Sequence, residues 1–234
     1  IVLGDINWYT APVGVISAAD GNRTTACVEI FASSINDPAT ILGPGPQAVN
    51  EDLRTVINGF KVEDAESKAF NLPVAVTLSI PSGQGTLDVA GEGSQTSFVV
   101  NGRTVTIEGD KTNKLVLTGR ADDIQTLLND PKNGLAYLTP LNVNHDLNSA
   151  ASGDVTLAMS LDDSCAQIGG DVGGGSVAAN PAPIEIPIVI TPTNDAPKVT
   201  ATGTGIAITS PGVAVPVTGM SISDVDYTDN GGIN

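Results

Sequence analysis

The chain has 234 residues, of which 41% are hydrophobic but only 3% aromatic, and 26 Gly and 15 Pro interrupt the apolar runs. Short strands separated by turns fit this composition, so we predict an all-β protein. With 26 acidic against 10 basic side chains, the formal charge is −16, which makes nucleic acid a poor partner. No stretch reaches the roughly 20 apolar residues of a membrane-spanning helix, so membrane insertion is not expected.

An internal repeat organises the chain. Asn36-Asp37 returns as Asn194-Asp195, and the segment that carries Asp64 returns as the segment that carries Asp224, at nearly the same separation. A third similarity lies upstream, where NWYTAP resembles LAYLTP. Recurrence at a fixed spacing is typical of tandem structural units. We therefore predict one complete repeat at 37–195, the last strands of a preceding repeat at 1–36, and the first strands of a following repeat at 196–234.

The complete repeat is predicted to consist of short strands and one helix. In chain order, the strands are expected at Gln47–Val49, Thr55–Val62, Val74–Ile80, Gly85–Val89, Ser97–Val100, Arg103–Ile107, Lys114–Thr118, Leu135–Leu138, Val155–Leu161 and Ile184–Thr191. Before Leu135, the segment ADDIQTLLND has Ile124, Leu127 and Leu128 at helical spacing after acidic residues. This pattern predicts a short helix that crosses one end of a β-sandwich.

Acidic side chains are expected to gather at the first linker, around Asp37. In a sandwich whose termini lie at opposite ends, the second strand returns to the linker from which the first strand began. The acids that follow this second strand should therefore lie beside the linker, and so should those that follow Leu161. The candidate ligands at this linker are Asn36, Asp37, Asp64, Glu66, Asp162 and Asp163.

The second linker, around Asp195, should collect acids by the same geometry. The turn after the first strand lies at the far end of the sandwich and approaches this linker, while the acids of the following repeat take the places that Asp64 and Glu66 have at the first linker. The candidate ligands here are Asn194, Asp195, Asp224 and Asp226, with Glu51, Asp52 or Asp122 from the complete repeat.

Calcium is the cation that these residue types suit. Ca²⁺ takes six to eight oxygen ligands and accepts carboxylate, Asn carbonyl and backbone oxygens. Zinc fits less well, because one His and two distant Cys provide no tetrahedral set. The alternative is that Asp and Asn stand here as ordinary turn residues that bond their own backbone. Recurrence of acid pairs at the same distance from two linkers favours the calcium hypothesis.

The segments INGFKVEDAES, LVLTGRADDIQTLLN, LAYLTP and IEIPIVITPTNDAP carry a family resemblance. They resemble the cadherin-like, VCBS-type tandem repeats of giant bacterial RTX adhesins and related surface proteins, across the middle repeat and both partial ones. The resemblance implies an immunoglobulin-like sandwich with calcium between neighbouring repeats. It matches Asp64 and Glu66 to the family's Asp-x-Asp, Glu51 to its early Glu, and Asn194–Pro197 to its linker. The first linker departs from this pattern, since Asn36-Asp37-Pro38 lacks the Ala.

These observations favour a non-catalytic structural repeat of a calcium-stiffened adhesin or surface filament, outside the cell at the bacterial surface, whose partners are the neighbouring repeats. No nucleophile with a base, acid pair in a pocket or phosphate-binding loop is evident, so no enzyme activity is expected. Two alternatives stay open. One is a module that binds a surface glycan or a peptide. The other is a filament subunit whose copies associate head to tail by strand addition.

The two cysteines, Cys27 and Cys165, are not expected to pair with each other within one chain. We place Cys27 in a strand of the preceding repeat and Cys165 just after a strand of the complete one. Their Cα atoms should then be farther apart than the ~7 Å limit for a disulfide.

Overall fold

The computed structural model describes residues 37–91, 93–141, 155–163, 180–202, 212, 214 and 218–224. Within these ranges the chain is predominantly β. The strands are β1 (Thr40–Leu42), β2 (Gln47–Asn50), β3 (Thr55–Val56), β4 (Lys61–Glu63), β5 (Val74–Ser79), β6 (Thr86–Asp88), β7 (Ser97–Val100), β8 (Arg103–Glu108), β9 (Lys114–Gly119), β10 (Ala136–Leu138), β11 (Val155–Asp162), β12 (Ile184–Thr191), β13 (Lys198–Ala201) and β14 (Met220–Ser223), and the helices are α1 (Ala65–Phe70) and α2 (Ala121–Leu128). Neither helix has the length and hydropathy needed to cross a membrane.

The strands form one large sheet and three small ones. The large sheet has seven strands in the order β2-β12-β11-β5-β9-β8-β7, and β3-β10-β6, β1-β4 and β13-β14 form the others. Alternation along the strands explains the packing: in β5, Val74, Val76 and Leu78 are buried, while the residues between them are partly exposed. One apolar core joins these residues to Ile41 of β1 and Leu87 of β6. This common core joins the large sheet to the β1–β4 ribbon and to β6.

The register of the large sheet fixes its two ends. At one end, Asp162 of β11 pairs with Ala75 near the start of β5, and Val74 pairs with Gly119 at the end of β9. At the other end, Asn50 of β2 pairs with Thr191 at the end of β12. The turn after β2 therefore lies at the opposite end from the residues that follow β11. We call these the β11 end and the β12 end.

The chain passes from the β1–β4 ribbon to the large sheet at Gly43. A Cβ atom at this position would lie 2.6 Å from Cδ1 and 2.8 Å from Cγ1 of Ile186, which is a core residue of β12. Only glycine can approach that closely without displacing Ile186. After this crossing, β2 runs parallel to β12, whereas the other strand pairs of the structure are antiparallel.

Side chains at the C-terminal end of α2 form hydrogen bonds with the backbone between Gly59 and Val62. These bonds take the place of pairing with a neighbouring strand. Asn129 accepts hydrogen bonds from the N–H groups of Gly59 and Phe60 at 2.7 and 3.0 Å and donates to the carbonyl of Phe60 at 2.7 Å. Gln125, one helical turn earlier, accepts from the N–H of Val62 at 2.9 Å. This pairing explains why the strand predicted at Thr55–Val62 is interrupted and becomes β3 and β4.

The β13–β14 ribbon repeats the geometry of the β1–β4 ribbon. Thr40 pairs with Glu63 in the first and Lys198 with Ser223 in the second, both antiparallel. The residues at the matching inner positions differ in exposure. Ile41 and Val62 are 5% and 1% exposed, whereas Val199 and Ile222 are 60% and 75% exposed. The first ribbon is covered by the common core, and the described residues include no such cover for the second.

Candidate metal centre

The first candidate site is built on helix α1, which the sequence prediction did not include. Asp64 stands at the N-cap with extended backbone (φ −150°, ψ 128°), and its Oδ1 accepts a hydrogen bond from the N–H of Ser67 at 2.5 Å. The helix ends at Asn71 in the left-handed conformation. An Asp that caps a helix and a short polar residue that ends it are ordinary local signals. The Asp64–Ser67 spacing was the clue in the sequence.

Ser67 fixes α1 against the start of α2. Its side chain is fully buried, its Oγ donates to the carbonyl of Leu72 at 2.6 Å, and the same Oγ accepts from the N–H of Ala121 at 2.9 Å. Both contacts join α1 to neighbouring backbone, so the helix has little freedom to move. The position of Asp64 and Glu66 is thereby set by the packing of two helices.

Two carboxyl groups are buried at the first turn of α1. Asp64 is 5% exposed and Glu66 is 2% exposed. Oδ2 of Asp64 and Oε2 of Glu66 are both inaccessible and accept no hydrogen bond from the described residues. A buried carboxylate oxygen without a donor is costly, so each of these oxygens is placed for a proton or a cation.

Asp37 and Asp163 bring further negative charge to the same place. Burial raises the pKa of Asp64; the bond from Ser67 opposes this, and the charges of Asp163 and Asp37 raise it further. Burial also raises the pKa of Glu66, against hydrogen bonds from the backbone of Glu66 and Asp37, and the charges of Asp37 and Asp64 add to the rise. Asp163 itself is 1% exposed at the end of β11. The first linker, α1 and the β11 end thus form one acidic site.

Two other buried acids, Asp88 and Asp123, are each paired with an arginine. Both carboxylate oxygens of Asp88 accept hydrogen bonds from the guanidinium group of Arg54, at 2.6 to 3.0 Å. Both carboxylate oxygens of Asp123 likewise accept hydrogen bonds from Arg103, at 2.5 and 2.8 Å. These hydrogen bonds lower the pKa of Asp123. Within the described ranges, neither Asp64 nor Glu66 forms an ion pair. The acidic site therefore differs from the structural ion pairs of the same fold.

The side chains of this site do not converge as a finished metal site. Among the described residues, no group of three or more His, Cys, Asp or Glu side chains is arranged to hold a metal ion. One reason is visible in Asp64, whose Oδ1 is engaged by the helix cap. The donor set, with oxygens that lack a described hydrogen-bond donor, fits a hard cation such as Ca²⁺ or Mg²⁺ better than zinc.

Asp162 lies beside this site but faces outward. It is exposed, and its Oδ1 accepts from Nδ2 of Asn180 at 3.3 Å, while Oδ1 of Asn180 accepts from the N–H of Asp163 at 3.1 Å. Asp162 and Asp163 were predicted next to the first linker, and the charge of Asp163 acts on Asp64. Asn36 lies outside the described residues.

The second candidate site lies at the β12 end. Glu51 is buried, and its Oε1 accepts from the N–H of Thr193 at 2.6 Å, while its own N–H donates to the carbonyl of Thr191 at 3.0 Å. Asp52 adopts a left-handed conformation (φ 58°), and its N–H donates to Oγ1 of Thr139 at 2.8 Å. The structure therefore places Glu51 against the second linker, where the sequence analysis expected it.

Three of the remaining residues predicted at the second linker lie within the described ranges: Asn194, Asp195 and Asp224. Nδ2 of Asn194 donates to the carbonyl of Asp195 at 3.0 Å, and Asp224 follows directly after β14. Asp226 lies outside the described residues, as do Cys27 and Cys165.

Asp122 is not where the second-linker hypothesis needs it. It lies in the first turn of α2, just after β9 ends at the β11 end, and its Oδ1 is 2.8 Å from Nε of Arg120. The opposite end of the sheet holds Glu51. The assignment of Asp122 to the second linker is therefore corrected, because α2 crosses the other end of the sheet.

No known protein family, curated protein or solved structure matches the chain.

Proposed function

We propose that this chain is a non-catalytic, extracellular structural repeat of a bacterial adhesin or surface filament, folded as a cadherin-like β-sandwich and stiffened by calcium at its linkers. The observation that carries the proposal is the acidic site at the first linker. Asp64 and Glu66 are buried there, and within the described ranges neither pairs with a basic side chain. Both lie next to the charges of Asp37 and Asp163.

A bound Ca²⁺ would neutralise the carboxylates of Asp64 and Glu66, for which the described residues supply no ion pair. Asp37, Asp64, Glu66 and Asp163 are the residues that would hold it, and Glu51, Asn194, Asp195 and Asp224 are the candidates at the second linker. Because Asp37 belongs to the linker while Asp64 and Glu66 belong to α1, a shared cation would restrain the linker relative to the repeat. The hinge would then be stiff with calcium and free without it.

The matching ribbons support a tandem arrangement. β1–β4 and β13–β14 have the same antiparallel pairing and follow the two linkers at the same distance. Gly59 and Gly219, at matching positions before the second strand of each ribbon, both have positive φ, 101° and 82°. In a tandem arrangement, a following repeat would bury Val199 and Ile222 as Ile41 and Val62 are buried in the first.

Calcium titration by isothermal calorimetry tests the proposal. We expect saturable heats with the wild-type chain and a lower stoichiometry for the double variant Asp64→Asn, Glu66→Gln. Arg54 and Asp88 form a matched control, since Asp88→Asn removes a buried acid that already has a partner and should leave the stoichiometry unchanged. Absence of saturable binding by the wild type would overturn the calcium proposal.

A second candidate is a subunit that assembles head to tail. It is favoured by the exposed inner face of β13–β14, on which Val199, Met220 and Ile222 are 60%, 62% and 75% exposed. In this case another copy of the chain covers that face. Sedimentation velocity over a wide concentration range distinguishes the two, because assembly predicts a rising sedimentation coefficient that Val199→Ser, Ile222→Ser prevents.

A further inference from the structure

We infer that the parallel pair β2–β12 is a shear clamp, which carries tension applied between the two linkers. The pair joins the first strand of the large sheet to the last. Tension enters the described unit at Asp37, before β1 and β2, and leaves it after β12 through the linker at Asp195. β2 and β12 are therefore the strands of the large sheet through which the two loads enter and leave.

Parallel pairing decides how this load acts. Gln47 pairs with Ile188 and Asn50 pairs with Thr191, so both strands run toward the β12 end. The load pulls β2 from its N-terminal side and β12 from its C-terminal side, and these pulls are opposite along the same axis. The bonds of a parallel ladder are evenly spaced between the strands. They must therefore stretch together, whereas antiparallel neighbours pulled from one end separate bond by bond.

Two further hydrogen bonds extend the clamp into the second linker. The N–H of Glu51 donates to the carbonyl of Thr191 at 3.0 Å, and the N–H of Thr193 donates to Oε1 of Glu51 at 2.6 Å. The second of these joins β2's turn to the linker beyond β12. Load applied at the linker thus meets this contact before it reaches the ladder.

The inner face of the clamp is closed to water. Val49, Ile188 and Ile190 alternate into the core and are almost fully buried. Hydrogen bonds shielded from water on one side are not readily replaced by bonds to solvent when they stretch. Gly43, between β1 and β2, lies directly against Ile186 of β12.

Force spectroscopy on the full chain tests the inference by changing only the direction of pull. In the first geometry the handles are at the two termini, so that β2–β12 is sheared. In the second geometry the handles are at Ser82 and Lys111, which are exposed residues in turns. Ser82 follows β5 and Lys111 precedes β9, next to the end of the ladder where Ser79 pairs with Lys114. This second pull opens an antiparallel pair. Cys27 and Cys165 are replaced by Ser throughout.

The β5–β9 pair has six paired residues and β2–β12 has four, so a simple count of paired residues predicts the higher force for the second geometry. The clamp predicts the reverse. If about four bonds share the load in shear and one or two in opening, the terminal pull should need roughly two- to threefold more force at equal loading rate. Val49→Ala should lower the terminal force and leave the Ser82–Lys111 force unchanged.

Equal forces in the two geometries, or a larger force for the Ser82–Lys111 pull, would overturn the inference. An unchanged terminal force in Val49→Ala would place the resistance elsewhere in the fold and would overturn it as well. Each pull is repeated with calcium and with EGTA. Only the use of the clamp within a longer parent protein rests on the proposed function. The difference between geometries should persist in EGTA, so a failure of the calcium proposal remains separate from a failure of the clamp.

Discussion

The two carboxylate oxygens of Asp64 lie in different surroundings. Oδ1 caps α1 through Ser67, and Oδ2 is buried without a donor among the described residues. The sequence left open whether Asp64 is an ordinary capping or turn residue or a calcium ligand. Because Oδ1 forms the cap, Oδ2 is the oxygen to which the ligand hypothesis applies. Substitution can test them separately, because Asn caps a helix about as well as Asp but carries no charge.

Asp64→Asn should keep the helix cap and weaken calcium binding, whereas Asp64→Ala should lose both. Without calcium we expect the Ala variant to be less stable than the Asn variant by about 1 kcal/mol, the usual loss for a missing cap. With calcium, neither variant should regain the full stabilisation of the wild type. Urea unfolding in EGTA and in calcium measures these differences. Wild-type stabilisation by calcium in Asp64→Asn would remove Asp64 from the ligand set.

The Asp123–Arg103 pair should make stability depend on pH at the acidic side. The pKa of Asp123 lies below its ordinary value of 3.8, chiefly because of the hydrogen bonds from Arg103. A lowered folded-state pKa means that the carboxylate stabilises the fold fully above pH 3.8 and loses this contribution as the pH falls through the folded-state value. In Asp123→Asn we expect stability at pH 7 to fall by about 2 kcal/mol, the scale of hydrogen bonds to a charged group.

The loss caused by Asp123→Asn should shrink when the comparison is made below the folded-state pKa, where the wild-type carboxyl is also neutral. Urea unfolding in EGTA at pH 7 and in steps below pH 3.8 follows the difference. Glu108→Gln, on an exposed strand position of β8, is the control and should show no such change. A loss for Asp123→Asn that is the same at all pH values would contradict the assignment of the pair.

At the scale of elements, the sequence predicted strands well and missed short local structures. The run Val74–Ile80 was expected as a strand and is β5, and ADDIQTLLND was expected as a helix and is α2, since both have a clear periodicity of apolar residues. β1 has three residues and α1 has six, which is too short for periodicity to appear. Their presence follows from pairing with β4 and from packing against α2, which are contacts distant in sequence.

The candidate site residues were predictable where strand direction alone sets their position. Glu51 and Asp163 were placed by strand direction; in the structure Glu51 accepts a hydrogen bond from Thr193, and the charge of Asp163 acts on Asp64. Asp122 was misplaced because periodicity identifies a helix without saying which end of the sheet the helix crosses. The role of Ser67 was not predicted either, since a buried hydroxyl between two helices has no distinct sequence pattern.

Ser67→Ala should loosen α1 from α2 and so weaken the site without touching a ligand. The change leaves the N–H of Ala121 and the carbonyl of Leu72 without the bonds that Oγ provides at 2.9 and 2.6 Å. We expect a loss of about 1–3 kcal/mol in stability, as for buried groups left unpaired. Calcium affinity should fall while stoichiometry stays the same. Ser82→Ala in an exposed turn is the control, and equal calcium affinity in Ser67→Ala and wild type would argue against this positioning role.

At the scale of the whole molecule, the formal charge of −16 and the grouping of acids at the two ends of the sheet raise one physical question. Like charges close to a linker repel each other unless a cation or protons neutralise them. The two ends also share no candidate ligand, since Asp37, Asp64, Glu66 and Asp163 belong to one and Glu51, Asn194, Asp195 and Asp224 to the other. The linkers should therefore respond to cation removal independently.

Removing calcium should lower the melting temperature and allow the units on either side of each linker to swing. A ligand that binds only the folded state stabilises it by ~2.7 kcal/mol at a hundredfold excess over Kd, which corresponds to roughly 5–10 °C for a domain of this size. Small-angle scattering should show a longer maximum dimension in calcium than in EGTA. The double variant Asp64→Asn, Glu66→Gln should lose the response of the first linker and retain that of the second, so that its change in both measurements is smaller than in the wild type but not zero. Identical scattering curves and melting temperatures for the wild type in the two conditions would leave these acids as ordinary turn and capping residues on a solvated surface.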